Sequence, residues 1–241
     1  MALNRQMRNP IIVALDVPNV NVASALVQQL TPVVGAFKIG SQLFTSAGPE
    51  IVRKVRFAGG SVFLDLKFHD IPNTVAKAVA SAVQLDVQML TIHTSGGVEM
   101  MRAAEESAQQ AARKLGQVAP LVLGVTVLTS MDSNSLHEIG CGSSIARQVE
   151  RLAALATKAG LRGLVCSPLE IAILRQLLPE RVQLVTPGIR TGNEKVDDQK
   201  RTLSPKEAIE AGADWLVIGR PIYAAENPCA AAEKILSRIT R

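Results

Sequence analysis

The sequence predicts an α/β fold, a (β/α)8 TIM barrel, from three observations. Short runs rich in Val, Ile and Leu alternate with Ala-rich amphipathic segments along the whole chain. Each strand-plus-helix unit takes about 30 residues, the usual length of one βα step, and eight such units fit the 241 residues. No change of composition marks a boundary, so we expect residues 1–241 to form one barrel domain.

The eight apolar runs are the predicted strands: Ile11–Val17, Ala36–Gly40, Val62–Phe68, Met89–Thr94, Leu121–Thr129, Gly163–Ser167, Gln183–Ile189 and Trp215–Gly219. Nearly continuous apolar runs are typical of parallel strands that helices cover. A doubly wound open sheet is the alternative fold, but its first strand is usually followed by a Gly-rich phosphate turn. Here the first strand ends in Asp16-Val17-Pro18-Asn19, which contains no such turn.

Three of the helices between the strands have recognisable ends. Thr74–Leu85 is predicted with Thr74 as its N-cap. Val98–Leu115 and Ser144–Ala159 are each followed by glycine, the residue most often found just past a helix end.

Composition argues against a nucleic-acid partner. Apolar residues make up 47% of the chain and charged residues 20%, which excludes a disordered chain. Aromatic residues are only 3%, too few for a surface that stacks single-stranded bases. The net charge is +5, but Lys and Arg are spread along the chain with no run longer than two, which indicates a solvated surface.

Cysteine usage and the first residues predict a cytoplasmic protein that makes no membrane contact. Cys141, Cys166 and Cys229 are widely spaced, which fits a reducing compartment and no disulfide framework. No Cys/His cluster has zinc spacing. Residues 1–10 lack the apolar segment of a signal peptide, and no apolar run approaches the roughly 18 residues that span a bilayer.

Charged residues interrupt the third predicted strand, FLDLKFHD. Asp65 and Lys67 are two residues apart and should share one face of the strand. We place both inside the barrel near its carboxyl rim, because unpaired charge beneath the helices would be costly. Asp70 follows just past the strand end.

Two neighbouring strands bring further charges to the same rim, Asp16 after the first strand and Lys38 in the second. A structural ion-pair network is the alternative interpretation of this set. Buried ion pairs rarely add stability, because desolvation offsets most of the Coulomb attraction. Charges that converge at the catalytic end of a barrel instead favour a chemical role.

A phosphate site is predicted after strands seven and eight, which end in TPGIR and VIGRPIY. Gly188 and Gly219 allow backbone N–H groups to approach a phosphate, and Arg190 and Arg220 add cations. The loops after these two strands are the usual phosphate site of a (β/α)8 barrel. The polar segment 190–200, RTGNEKVDDQK, is predicted to be a mobile lid.

The segment DLKFHDIPNT, residues 65–74, resembles the D-x-K-x-x-D-I-[GP]-x-T signature of the orotidine 5′-phosphate decarboxylase family. ALDVP, FKIG, TVLTS, PGIR and IGRPIY also fall where this family has its site, so the resemblance spans Ile11 to about Tyr223. It implies conversion of orotidine 5′-monophosphate to uridine 5′-monophosphate, the last step of de novo pyrimidine nucleotide synthesis. It also implies no metal or organic cofactor, and a homodimer with shared active sites.

The resemblance further implies roles for single residues. Lys67 would donate the proton to C6 of the pyrimidine, and Asp65 would lie beside the departing carboxylate. Lys38 would hold Asp65 and Asp70, and Asp70 and Thr74 would reach into the partner's site. The implied substrate contacts are Asp16 and Lys38 for ribose, Thr129 and Ser130 for the pyrimidine, and Gln199, Gly219 and Arg220 for phosphate, with Arg190 nearby.

Two other functions remain open. D-x-K-x-x-D is shared with magnesium-dependent sugar-phosphate decarboxylases and aldolases of the same barrel superfamily, whereas I-P-N-T and TVLTS favour the pyrimidine substrate. A nucleotide-binding barrel without catalysis would not need Asp65, Lys67 and Asp70 together.

Overall fold

Eight parallel strands form a closed barrel in the computed structural model, which describes residues 9–190 and 202–239. Each strand pairs with the next in sequence, and the eighth pairs with the first. The predicted (β/α)8 barrel is therefore confirmed, and the open sheet is excluded. That residues 1–241 form one domain stays a prediction.

All eight strands begin at the predicted residue, and six end earlier than predicted. Their bounds are β1 (Ile11–Ala14), β2 (Ala36–Gly40), β3 (Val62–Phe68), β4 (Met89–His93), β5 (Leu121–Val125), β6 (Gly163–Val165), β7 (Gln183–Thr186) and β8 (Trp215–Ile218). The residues beyond the shortened ends are no longer paired as strands, although Leu15, Thr126 and Cys166 each donate one more backbone hydrogen bond to the neighbouring strand. Several of them line the mouth of the barrel instead.

Helices cover the outside of the barrel. Their bounds are α1 (Val20–Leu30), α2 (Ser41–Ala47), α3 (Glu50–Phe57), α4 (Pro72–Val83), α5 (Gly97–Leu115), α6 (Ser133–Glu138), α7 (Ile145–Ala159), α8 (Ile171–Leu177), α9 (Pro205–Glu210), α10 (Arg220–Tyr223) and α11 (Pro228–Ile239). Within the described ranges, no helix combines the length and apolar character that crossing a bilayer requires.

The predicted N-cap of α4 is wrong. The helix begins at Pro72 with Ile71 as its N-cap, not at Thr74. Proline has no N–H to leave unpaired and its φ is already helical, so it is favoured at the first position. The predicted ends of α5 and α7 are confirmed, since Gly116 and Gly160 follow them with left-handed φ values of 66° and 90°.

Alternation along the strands divides the core into two layers. The larger layer lies between strands and helices and includes Ile11, Val13 and Ile39. The smaller one contains alternate strand residues such as Ile12, Phe63 and Val217. Because Phe63 and Val217 also line the cavity at the barrel mouth, the smaller layer fills the interior beneath that cavity.

Candidate active site

A cavity of about 640 Å³ lies at the carboxyl ends of the strands. This is the end of a (β/α)8 barrel at which active sites form. The predicted site residues that line it are Asp16, Lys38, Asp65, Lys67, Thr129, Arg190, Gly219 and Arg220. One cavity thus collects charged residues from positions more than 200 residues apart in the sequence.

Four alternating charges form a chain along one wall of the cavity. Nζ of Lys38 lies 2.9 Å from Oδ1 of Asp16 and 3.8 Å from Oδ2 of Asp65. Nζ of Lys67 lies 2.8 and 2.9 Å from the two carboxylate oxygens of Asp65. The Asp65 side chain is 13% exposed and that of Lys67 is 34% exposed, so the chain of charges ends in an ammonium group that faces the cavity.

A register shift in β3 brings Asp65 and Lys67 together. Two pairs of residues flank the shift, Leu64 with Leu90 and Phe68 with Ile92. Between them β3 has three residues where β4 has only Thr91. Lys67 has a φ of 51°, in the left-handed region that a non-glycine residue seldom adopts. Both side chains face the interior as predicted, but simple strand alternation is not the reason.

Gly40 leaves room for the ion pair between Lys38 and Asp16. A Cβ at position 40 would lie 3.1 Å from Nζ of Lys38 and 3.6 Å from Oδ1 of Asp16. Any larger residue would therefore press on the pair. Sequence reasoning assigned no role to this glycine beyond its place in FKIG.

Two arginines line the same cavity, one after β7 and one after β8. Gly188, just before Arg190, has a φ of 80°, a conformation that glycine adopts without strain. Arg220 is the first residue of α10, and only Gly219 separates it from the end of β8. Since the charges of Asp16, Lys38, Asp65 and Lys67 cancel, Arg190 and Arg220 give the described lining of the cavity a net positive charge.

Three predicted residues lie away from the cavity lining, and one cannot be placed. Asp70 and Thr74 are exposed, and Oδ1 of Asp70 accepts a hydrogen bond from the N–H of Ile71 at 2.6 Å. Ser130 is also exposed, although the adjacent Thr129 lines the cavity. Gln199 and the predicted lid beyond Arg190 lie outside the described residues.

Sequence reasoning assigned neither Thr91 nor Tyr223 to the site. Thr91 is fully buried, and its hydroxyl contacts both Asp65 and Lys67. A hydroxyl between the apolar residues Leu90 and Ile92 of β4 was the available signal. Tyr223 lines the cavity, and its pKa is raised by burial and by the charge of Asp16.

Two further titratable groups near the rim, His93 and Cys166, have shifted pKa values. The pKa of His93 is lowered by burial and by the nearby His69 and Lys67, and the two imidazole rings lie 5.4 Å apart. Burial raises the pKa of Cys166 to about 12, so its thiol is no nucleophile. In the parts of the chain that the structure describes, no group of three or more His, Cys, Asp or Glu is placed to hold a metal ion.

Comparison with known proteins gives concordant matches. Residues 9–235 match the model of the orotidine 5′-phosphate decarboxylase / HUMPS family. The chain is 53% identical over 229 residues to orotidine 5′-phosphate decarboxylase of Opitutus terrae, covering 95% of this chain and 97% of that protein. It is 50% identical over 232 residues to the Pseudomonas fluorescens protein of the same name, covering 96% and 98%. The crystal structure of orotidine 5′-phosphate decarboxylase from Lactobacillus acidophilus superposes with a TM-score of 0.86 at 36% identity, covering 96% of this chain and 99% of that one.

Proposed function

The chain belongs to the orotidine 5′-phosphate decarboxylase / HUMPS family, and we propose that it converts orotidine 5′-monophosphate to uridine 5′-monophosphate without a metal or organic cofactor. The observation that carries this proposal is the ammonium of Lys67. Both oxygens of Asp65 hold it at a cavity that two arginines also line.

Lys67 stabilises the negative charge that decarboxylation creates on the pyrimidine and then supplies a proton. Loss of CO2 leaves an electron pair on C6 of the pyrimidine, with no adjacent carbonyl to delocalise it. A fixed ammonium stabilises that developing charge and then donates a proton to C6. The products are CO2 and the nucleotide with hydrogen at C6, so no oxidant or reductant is needed.

Asp65 acts on the substrate carboxylate. It is held by Lys67, by the hydroxyl of Thr91 at 2.9 Å and by Lys38 at 3.8 Å. A carboxylate held in this way cannot turn aside when the substrate carboxylate approaches. The repulsion between them is relieved as CO2 leaves, which is a secondary contribution beside the charge of Lys67.

Other residues singled out in the sequence hold the nucleotide in this proposal. Asp16 and Lys38 bind the ribose, Thr129 and Ser130 the pyrimidine, and Gly219, Arg220 and Gln199 the phosphate, with Arg190 nearby. The phosphate is remote from the bond that breaks, so its binding energy orients the reacting end and drives closure over the site.

A homodimer completes each site. Residues 69–74 are all exposed beside the cavity, and Ile71 among them is 65% exposed. We infer that this segment packs against a second copy and places Asp70 and Thr74 in the partner's site. No membrane or nucleic-acid partner is needed, and the three free cysteines fit a reducing cytoplasm.

The purified chain should lower the ultraviolet absorbance of orotidine 5′-monophosphate as uridine 5′-monophosphate forms, and excess EDTA should leave the rate unchanged. Loss of activity with EDTA that Mg²⁺ restores would favour the magnesium-dependent relatives. Tight binding of uridine 5′-monophosphate without turnover would instead indicate a barrel that only binds nucleotides.

Arg220→Ala should weaken binding of uridine 5′-monophosphate by roughly 10- to 100-fold, since a hydrogen bond to a charged group contributes about 1.5–3 kcal/mol. Binding of uridine, which has no phosphate, should stay unchanged. Calorimetric titration with both ligands measures the difference, and Arg151→Ala on the exposed surface of α7 is the matched control. An equal loss for uridine would remove Arg220 from the phosphate site.

A further inference from the structure

The hydroxyl of Thr91 connects β4 to both charged residues of β3. Its Oγ1 accepts a hydrogen bond from the backbone N–H of Lys67 at 2.9 Å. The same hydroxyl donates to Oδ1 of Asp65, also at 2.9 Å. Thr91 is 0% exposed and does not line the cavity, so it acts on the site only through these two residues.

The first hydrogen bond compensates for the register shift in β3. Three β3 residues occupy the space opposite Thr91, so the N–H of Lys67 reaches a side chain where the ladder would supply a carbonyl. An unpaired N–H in this place would be destabilising. The left-handed φ of Lys67 is also unfavourable and persists only where the surroundings hold it.

The second hydrogen bond sets the plane of the Asp65 carboxylate. Oδ1 receives the Thr91 hydroxyl and lies 2.8 Å from Nζ of Lys67. Oδ2 lies 2.9 Å from the same Nζ and 3.8 Å from Nζ of Lys38. Without the hydroxyl, the carboxylate could rotate between the two lysines, and the ammonium of Lys67 would move with it.

We propose that Thr91 is a positioning residue for the decarboxylation, because its single hydroxyl fixes both the backbone of Lys67 and the carboxylate of Asp65. The effect of Thr91 on turnover rests on the proposed function. Its effect on the positions of Lys67 and Asp65 does not. Serine keeps the hydroxyl, whereas valine has nearly the same shape and cannot make either hydrogen bond.

Kinetics of Thr91→Val and Thr91→Ser test the catalytic part. Thr91→Val should lower kcat by about 100-fold, the typical cost of misplacing reacting groups by about 1 Å. Its KM and its affinity for uridine 5′-monophosphate should change less than about threefold, since the phosphate contacts remain. Thr91→Ser should restore kcat to within about threefold of wild type.

Thr94→Val is the matched control. Thr94 is likewise 0% exposed and follows β4 directly, but its hydroxyl donates to the carbonyl of Val125 at 2.7 Å and touches neither charged residue. The control therefore loses a buried hydrogen bond of the same kind, and kcat should stay near the wild-type value. If Thr91→Val does not fold, Thr91→Ala removes the same hydroxyl without adding an atom.

Hydrogen exchange of the Lys67 amide tests the geometry without any substrate. Exchange should be faster in Thr91→Val than in wild type, and it should remain slow in Thr91→Ser and Thr94→Val. If the wild-type protein did not decarboxylate orotidine 5′-monophosphate, the proposed function would be wrong. Hydrogen exchange of the Lys67 amide would still show whether Thr91 holds the backbone of Lys67. Wild-type kcat in Thr91→Val, equal losses for valine and serine, or an equal loss in Thr94→Val would overturn the proposal.

Discussion

Replacing Lys67 by alanine should lower turnover of orotidine 5′-monophosphate by roughly 10⁴-fold or more, the combined scale of a lost proton donor and lost charge stabilisation. Among the described residues that line the cavity, Lys38 is the only other lysine, and its Nζ is already held by Asp16 at 2.9 Å. The rate should be measured by ultraviolet absorbance at saturating substrate, so that binding does not limit it.

The barrel should still fold in this variant. A third of the Lys67 side chain is exposed, and Asp65 keeps its contacts with Thr91 and Lys38. Uridine 5′-monophosphate should therefore bind, and the melting temperature should stay close to that of wild type. Lys158→Ala, at an exposed position near the end of α7, is the control for loss of a surface charge. Turnover near the wild-type rate would remove Lys67 from the chemistry.

The barrel could be predicted from sequence because apolar runs and helical patterns alternate in one unbroken series. The strand starts were all correct, since each follows a polar or glycine-containing turn. The strand ends were not, because the residues after β5, which include Val127 and Leu128, are as apolar as the strand itself. They line the cavity instead of continuing the ladder, and hydrophobicity does not distinguish these two surroundings.

The charged wall could also be predicted, because acidic and basic residues in an apolar strand need a specific reason. The register shift in β3 could not be predicted, because a regular strand would also place Asp65 and Lys67, two residues apart, on one face. Thr91 escaped notice for a related reason. Threonine is common in strands, and only the shifted register shows which groups its hydroxyl meets.

Asp70 does not reach the cavity of its own chain. Strand spacing placed it near the rim, and the structure has it exposed and outside the cavity lining of its own chain. The family resemblance assigns it to the partner's site, which accounts for an exposed aspartate beside an exposed isoleucine. Complementation between two inactive variants tests this assignment directly.

Mixing inactive Lys67→Ala and Asp70→Ala proteins should restore activity if sites are shared. In a mixed dimer, one site combines Lys67 from the Asp70→Ala chain with Asp70 from the Lys67→Ala chain, and is therefore wild type. The other site lacks both residues. With equal amounts and random exchange, about half of the dimers are mixed, so about a quarter of all sites should regain wild-type turnover.

This recovery is measured by following the rate after the two proteins are mixed, with subunit exchange monitored in parallel by mass spectrometry of differently tagged chains. Activity should rise with the fraction of mixed dimers, from the background of either variant by several orders of magnitude. A double Lys67→Ala/Asp70→Ala protein mixed with Lys67→Ala is the control, because no combination of these chains contains an intact Lys67. Complete subunit exchange without recovery of activity would mean that Asp70 acts in the active site of its own chain or in no active site. The exposed segment 69–74 would then need another partner. Recovery near a quarter of the wild-type rate would instead assign each active site to two chains, with its ammonium from one and its second aspartate from the other.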